Sequence, residues 1–140
     1  MRYYFLPLLP LAVASPAIAQ TPATQIPYRV MAQWTINPTT GTPGFGLLIL
    51  IDPSHRRTPD LWALGRQLND EAAEKNIGLV VVYDNAKAAR MWRTWGTVPR
   101  EGKFHDPHLL GHYMRDASTG NASFRFYPEG FGGPSQTVGY

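Results

Sequence analysis

Two aspartates follow the two most apolar segments of the chain, and their positions could serve chemistry. Asp52 comes directly after residues 45–51 (FGLLILI), and Asp84 comes directly after residues 77–83 (IGLVVVY). If these segments are parallel strands of one sheet, both carboxylates lie at the edge where open α/β sheets usually bind ligands. Two carboxylates there could hold Mg²⁺, or either one could act as a general base.

The same two aspartates also have an ordinary structural interpretation. Asp52, Pro53 and Ser54 are residues typical of a plain turn. Asp84 or Asn85 could simply cap a helix that follows. Because two isolated aspartates form a weak motif, the sequence favours this structural interpretation.

A second group of candidate residues is rich in histidine. It consists of His105, Asp106, His108 and His112. Imidazole and carboxylate together suit Zn²⁺. A helix that starts after Asp106 would place His108 and His112 on one face, whereas a strand would separate them by about 13 Å, too far for one ion. Gly111 and Tyr113 favour the strand, so histidines that bind no metal are the preferred interpretation.

The third candidate is a basic and aromatic segment. Lys87, Arg90 and Arg93 recur every three residues, so on a helix they form one positive stripe. The stripe could bind an anionic surface or an acidic partner, and Trp92 and Trp95 could add cation–π or stacking contacts. The favoured alternative is a solvated basic face opposite a core face that contains the tryptophans.

Several other kinds of site are excluded or disfavoured. The chain contains no Cys, which excludes thiol chemistry. None of its serines lies in a G-x-S-x-G context, so a serine nucleophile is poorly supported. Gly44, Phe45 and Gly46 precede a strand instead of a helix, which is the wrong context for a dinucleotide-binding loop. No cofactor is predicted, apart from the divalent metal ion considered above.

Hydrophobic periodicity predicts the strands that must position these residues. Residues 28–36 alternate, which predicts a strand with one buried face. That face carries Val30, Ala32, Trp34 and Ile36. Residues 37–44 are rich in turn residues. Residues 45–51 and 77–83 predict strands that are covered on both faces, as in a parallel sheet.

A helix between these two apolar strands would complete a βαβ unit. Thr58 is a suitable N-cap, and Pro59 suits the first helical position. The apolar positions recur at helical spacing and are Leu61, Leu64, Leu68 and Ala72. Lys75 and Asn76 suit the C-terminal end of this helix.

The second half of the chain predicts a short helix and a hairpin. The helix begins after Asp84 or Asn85. Residues 109–115 and 122–127 predict two strands joined by the turn 116–121. The predicted fold class is therefore α/β: a single small domain with a mixed β-sheet, a central βαβ unit, two helices and a C-terminal β-hairpin, in the order β-β-α-β-α-β-β.

The first nineteen residues predict a cleaved secretory signal peptide. A short apolar run follows Arg2, and Ala17-Ile18-Ala19 has the small-x-small pattern of a cleavage site. The run is about ten residues long, too short to span a bilayer, so no stable membrane anchor is predicted. The mature protein is expected in the periplasm or outside the cell, and a domain without Cys favours a bacterial periplasm.

The rest of the chain divides into three parts. Residues 20–27 are expected to form an extended lead-in with nothing to pack, residues 28–128 the α/β domain, and residues 129–140 a glycine-rich C-terminal tail. Removing the leader takes away Arg2, which leaves 12 of the 13 Lys and Arg against 10 Asp and Glu, a net charge of about +2. So small a charge does not indicate a nucleic-acid partner.

Two hypotheses of function follow. The first is a non-enzymatic exported domain that binds another envelope protein or a small anionic ligand. Its candidate binding residues are Lys87, Arg90, Arg93 and Trp92. The second is a metal-assisted hydrolase at the carboxyl edge of the central strands, in which Asp52 and Asp84 hold the ion. His55 would then act as the base, and Arg90 would steady an anionic substrate.

Overall fold

A parallel pair of apolar strands organises the fold, as the sequence predicts. The computed structural model describes residues 24–36, 44–92 and 105–140. Within them, six strands follow one another across one mixed sheet: β1 Tyr28–Ile36, β2 Gly44–Ile51, β3 Ile77–Tyr83, β4 Leu109–Arg115, β5 Ala122–Phe126 and β6 Gln136–Gly139. Two α-helices, α1 Thr58–Lys75 and α2 Ala86–Trp92, follow β2 and β3. The predicted α/β class is confirmed, and so is the order β-β-α-β-α-β-β from β1 to β5, which β6 extends by one strand.

The parallel pairing of β2 with β3 brings two chain segments to one edge of the sheet. These strands are parallel, whereas the other neighbouring pairs are antiparallel. Parallel strands need a crossover connection, and α1 supplies it. The chain therefore leaves β2 at Asp52 and β3 at Asp84 on the same edge of the sheet.

The crossover helix begins and ends close to the predicted positions. Its N-cap is Arg57, one residue before the predicted cap, and the Arg57 side chain makes no capping hydrogen bond. Thr58 is consequently the first helical residue. At the other end, Asn76 takes a positive φ of 53°, a conformation that Asn tolerates better than most residues. The chain can therefore turn directly from α1 into β3.

The main hydrophobic core lies between α1 and one face of the sheet. The helix contributes the predicted apolar stripe of Leu61, Leu64, Leu68 and Ala72. The sheet contributes inward residues from four strands, among them Ile49, Val80, Val82, Tyr113, Phe124 and Phe126. Gly65 lies where a Cβ would collide with the Phe124 ring, so the absence of a side chain lets the helix approach the sheet closely.

A bulge interrupts the alternation that was predicted for β1. The pairing of β1 with β2 shifts between Val30 and Ala32, which makes Met31 an extra residue. Val30 is therefore 48% exposed, and its predicted place on the buried face is wrong. Met31 packs beside Ala32 and Trp34 instead.

The opposite face of the sheet carries a smaller core beneath α2. Asn85 caps this helix by accepting a hydrogen bond from the backbone N–H of Ala88 at 3.0 Å. Trp92 packs against Trp34, with 5.2 Å between the ring centroids, which is the core-facing position that the sequence favours. Because Asn85 provides the cap, the Asp84 carboxylate is available for other partners.

The predicted C-terminal hairpin is present, and another strand follows it. β4 and β5 pair antiparallel, and Gly120 in their turn takes a φ of +76°. Residues 129–140, which were expected to form a tail, include β6, paired antiparallel with β5. This strand was not predicted, because the segment has no apolar alternation of its own.

The segment before β1 is also packed, contrary to the expectation for residues 20–27. Ile26 is buried in the main core. The side-chain amide of Gln67 accepts from the Ile26 N–H at 2.9 Å and donates to its carbonyl at 3.3 Å. The Gln67 amide thus replaces the partner strand that this backbone would otherwise need.

Some predictions concern residues outside the described ranges. They include the leader 1–19, residues 37–43 of the predicted turn segment, Arg93 and Trp95. Among the described residues, no helix is both long enough and apolar enough to cross a membrane.

We predict that His112 makes folding sensitive to acid. Burial, and secondarily the charge of Arg125, lowers the pKa of His112 from 6.5 to about 4. Between these values the unfolded chain binds the extra proton, so the free energy of unfolding falls as pH decreases through this window. The full loss is roughly 3 kcal/mol, fully developed only below the folded-state pKa.

Urea unfolding at about pH 7 and about pH 4.5 measures most of this effect. The comparison is with His112→Phe, which keeps a flat ring edge-on to Tyr127 and Phe131. The wild-type protein should lose more stability on acidification than the variant. Equal losses in the two proteins would contradict the assignment.

Candidate functional site

The candidate site is built around the buried carboxylate of Asp84. Only 7% of this residue is exposed, although it directly follows β3 at the sheet edge. One oxygen, Oδ2, accepts from Nη1 of Arg56 at 3.2 Å, and the other, Oδ1, lies 2.8 Å from Nδ1 of His108. A buried charge is costly unless it is paired and hydrogen-bonded. Here one carboxylate is compensated by two different partners.

Arg56 joins three separate segments at this edge. Besides its ion pair with Asp84, its Nε donates to the carbonyl of Pro128 and its Nη2 donates to the carbonyl of Pro107, each at 3.0 Å. The planar guanidinium suits such divergent acceptors because its donors have fixed directions. Arg56 therefore ties the β2–α1 connection to the segments that flank β4 and β5.

The contact with Asp84 determines how the His108 ring carries its proton. A carboxylate can only accept, so Nδ1 of His108 must be the donor. In the neutral ring, Nε2 is then a free acceptor. The His108 side chain is 40% exposed whereas that of Asp84 is 2% exposed. The buried Asp84 carboxylate therefore orients the His108 imidazole, which is partly exposed to solvent.

The other two residues predicted at this edge have different partners. Asp52 accepts from the backbone N–H of Ser54 at 2.9 Å and caps the short 3₁₀ turn Pro53–His55. Hydrogen bonding from Ser54 lowers the pKa of Asp52. His55 lies 3.2 Å from Asp60 through its Nδ1. Hydrogen bonding from His55, and then from Arg57, lowers the pKa of Asp60.

These contacts bear on the predicted metal site. In the described part of the chain, the polar contacts of Asp52 are to Ser54, whereas those of Asp84 are to Arg56 and His108. No three acidic or histidine side chains in that part of the chain lie where they could share one ion. A cation at Asp84 would have to displace a guanidinium, so these donors fit a resident Mg²⁺ poorly.

The histidine group does not converge either. His112 lies in β4, as the favoured strand interpretation requires, and packs edge-on against Tyr127 and Phe131. His105 is exposed. Asp106 accepts from the backbone N–H of His108 at 2.9 Å. The residues that are close in sequence therefore have different structural environments and do not converge on one site.

The structure describes only part of the predicted basic stripe. Lys87 and Arg90 lie exposed on α2, whereas Trp92 is partly buried against Trp34. Arg93 lies outside the described residues. The structure therefore separates the charged residues of this helix from its tryptophan, as the solvated-face interpretation expects.

Sequence reasoning missed the pairing of Asp84 with Arg56 and His108. Asp84 was a candidate because it follows a strand, and His108 was a candidate because of its neighbours in sequence. Their contact with each other was not predicted. Their contact requires β4 to lie antiparallel beside β3, and the hydrophobic pattern does not specify that neighbour. Arg56 carries no signal beyond its place in the loop after Asp52.

We expect Asp84→Ala to destabilise the fold much more than Asp52→Ala. Removing Asp84 leaves Arg56 and His108 without their shared acceptor, which should lower the free energy of unfolding by roughly 2–3 kcal/mol. Asp52 is the matched control, because it also follows an apolar strand but is exposed. Urea unfolding of both variants measures the difference, and equal losses would show that the Asp84 cluster does not stabilise the fold.

Comparison with protein families, curated proteins and solved structures finds no match for this chain. Its function is therefore argued from its own residues and their geometry.

Proposed function

We propose that this chain is an exported protein, periplasmic or secreted, whose α/β domain binds a small anionic ligand at the edge formed by Arg56 and His108. The observation that carries this proposal is the shared carboxylate of Asp84, which holds both side chains at one place. Both partners remain accessible, with 35% of the Arg56 side chain and 40% of the His108 side chain exposed. The proposal concerns binding alone.

Hydrogen-bond donors remain available for such a ligand. A guanidinium has five N–H donors, and three nitrogens of Arg56 each make one contact in the described part of the chain. Arg56 therefore keeps a donor on each Nη. Protonation of His108 would add a second donor beside it, on Nε2. A carboxylate or phosphate group accepts from such donors in a charge-assisted geometry.

Positive charge on α2 also supports the binding of an anionic ligand. Lys87 and Arg90 lie exposed on α2, which begins two residues after Asp84. They can raise the local concentration of anions without touching the ligand. A second partner class, another envelope protein that contacts Lys87, Arg90, Arg93 and Trp92, stays a separate proposal supported by the exposure of Lys87 and Arg90.

Export supports the same proposal from the sequence side. The leader 1–19 has the order of a signal peptide, with Arg2, an apolar run and the Ala17-Ile18-Ala19 step. A cysteine-free domain of this size has to be stabilised by its core, and the fold has two such cores. Such a domain can persist outside the cytoplasm without disulfides.

We expect inorganic phosphate or acetate to shift backbone amide NMR signals around Arg56 and His108. At a pH low enough to protonate the ring, His108→Ala should weaken the apparent affinity roughly tenfold or more, because the charge-assisted hydrogen bond from Nε2 that it removes contributes about 1.5–3 kcal/mol. His105→Ala is the matched control, since His105 is an exposed imidazole three residues away. Equal weakening in both variants, or no shifts at this edge, would contradict the proposal.

A metal-assisted hydrolase that uses Asp52 and Asp84 is the alternative function, and the contacts at this edge favour it less. A bound ion would require both carboxylates as ligands. One of them already accepts from Arg56 and His108, and the other caps a 3₁₀ turn. In this alternative the ion would have to reorganise both sets of contacts.

The alternative is tested by thermal melts with EDTA and then with Mg²⁺, Mn²⁺, Ca²⁺ or Zn²⁺. A ligand at a hundred times its Kd adds about 2.7 kcal/mol, which raises the Tm of a domain this size by several degrees. We expect no such shift, because an ion at Asp84 would have to compete with Arg56 and His108, which already contact its two oxygens. An ion-specific increase that disappears in both Asp52→Ala and Asp84→Ala would establish the metal site instead.

A further inference from the structure

Hydrogen bonds fix both the backbone and the ring of His108. Asp106 accepts from the backbone N–H of His108 through Oδ1 at 2.9 Å, and from the Tyr83 hydroxyl through Oδ2 at 3.0 Å. Asp106 itself is fixed by two backbone hydrogen bonds with Phe131. The carbonyl of His108 accepts from the Asp84 N–H at 3.2 Å. These hydrogen bonds fix the backbone of His108, and the contact of Nδ1 with Asp84 orients its ring.

We propose that His108 and Asp84 form a general-base dyad that hydrolyses small carboxylic esters bearing an anionic group. The inference rests on the proposed anion-binding site and adds a reaction to it. Three features support it: an imidazole whose Nδ1 proton is fixed by a buried carboxylate, an exposed ring, and a guanidinium on the other oxygen of the same carboxylate. A base, the group that orients it and an adjacent cation are parts that a hydrolytic site requires.

The reaction uses water as its nucleophile. Nε2 of His108 takes a proton from a water molecule while the water oxygen forms a bond to the ester carbonyl carbon. The bond from that carbon to the alcohol oxygen then breaks, and the leaving alkoxide takes the proton back from Nε2. One ester and one water thus give one carboxylic acid and one alcohol, and the imidazole is regenerated.

Asp84 and Arg56 have different roles in the proposed hydrolysis. Asp84 stabilises the imidazolium and keeps the proton on Nδ1, so it is a positioning residue. Arg56 shares that carboxylate, so its positive charge lies beside the dyad. A cation at this place can bind the anionic group of the substrate and favours an ester that carries one.

The test uses the full chain with two chromogenic esters, the 4-nitrophenyl monoester of succinic acid and neutral 4-nitrophenyl acetate. We expect saturable hydrolysis with a preference for the charged ester. His108→Gln should lower kcat roughly a hundredfold, and Asp84→Asn, which also loosens Arg56, should lower kcat by a larger factor than it raises KM. His105→Ala and an equal concentration of free imidazole control for nonspecific catalysis by exposed histidine.

The outcomes separate this inference from the proposed function. Circular dichroism and Tm show whether each variant is folded, and His108→Gln keeps the test valid if Asp84→Asn fails to fold. A folded His108→Gln protein that hydrolyses the charged ester at the wild-type rate overturns the dyad. If amide NMR shows that succinate binds near Arg56 while wild-type turnover equals that of free imidazole, the dyad fails and the binding proposal stands.

Discussion

The compensation of one buried charge organises the sheet edge at which β2 and β3 end. Asp84 follows a strand whose last residues are buried, so its carboxylate cannot be solvated as an exposed side chain would be. The cost of burial requires close partners, and these come from Arg56 before α1 and His108 before β4. Segments far apart in the sequence are thereby fixed around one group, which gives a small domain a defined polar site.

The local elements could be predicted because their signals lie within single segments. The apolar strands β2 and β3, the amphipathic α1 and the β4–β5 hairpin each have a period or turn residues of their own. The bulge at Met31 escaped prediction because pairing with β2 determines it, not alternation along β1. β6 escaped because its stability comes from its hydrogen bonds to β5 and not from its own composition.

Prediction of the site was partial for the same reason. The position of Asp84 after a strand could be recognised, since the topological rule for parallel strands needs only the order of the elements. Its partners could not be recognised, because they depend on which strand lies on the far side of β3 and on where the loops cross the edge. The candidate base therefore moves from His55, which contacts Asp60, to His108.

The pairing of His108 with Asp84 also relates the two proposals to each other. Fixing the Nδ1 proton costs nothing when the site only binds an anion, yet it also leaves Nε2 as an oriented acceptor. Arg56 could not serve in place of His108, because a guanidinium retains its protons at any physiological pH. The contact between Asp84 and the His108 ring is therefore the observation on which both proposals depend.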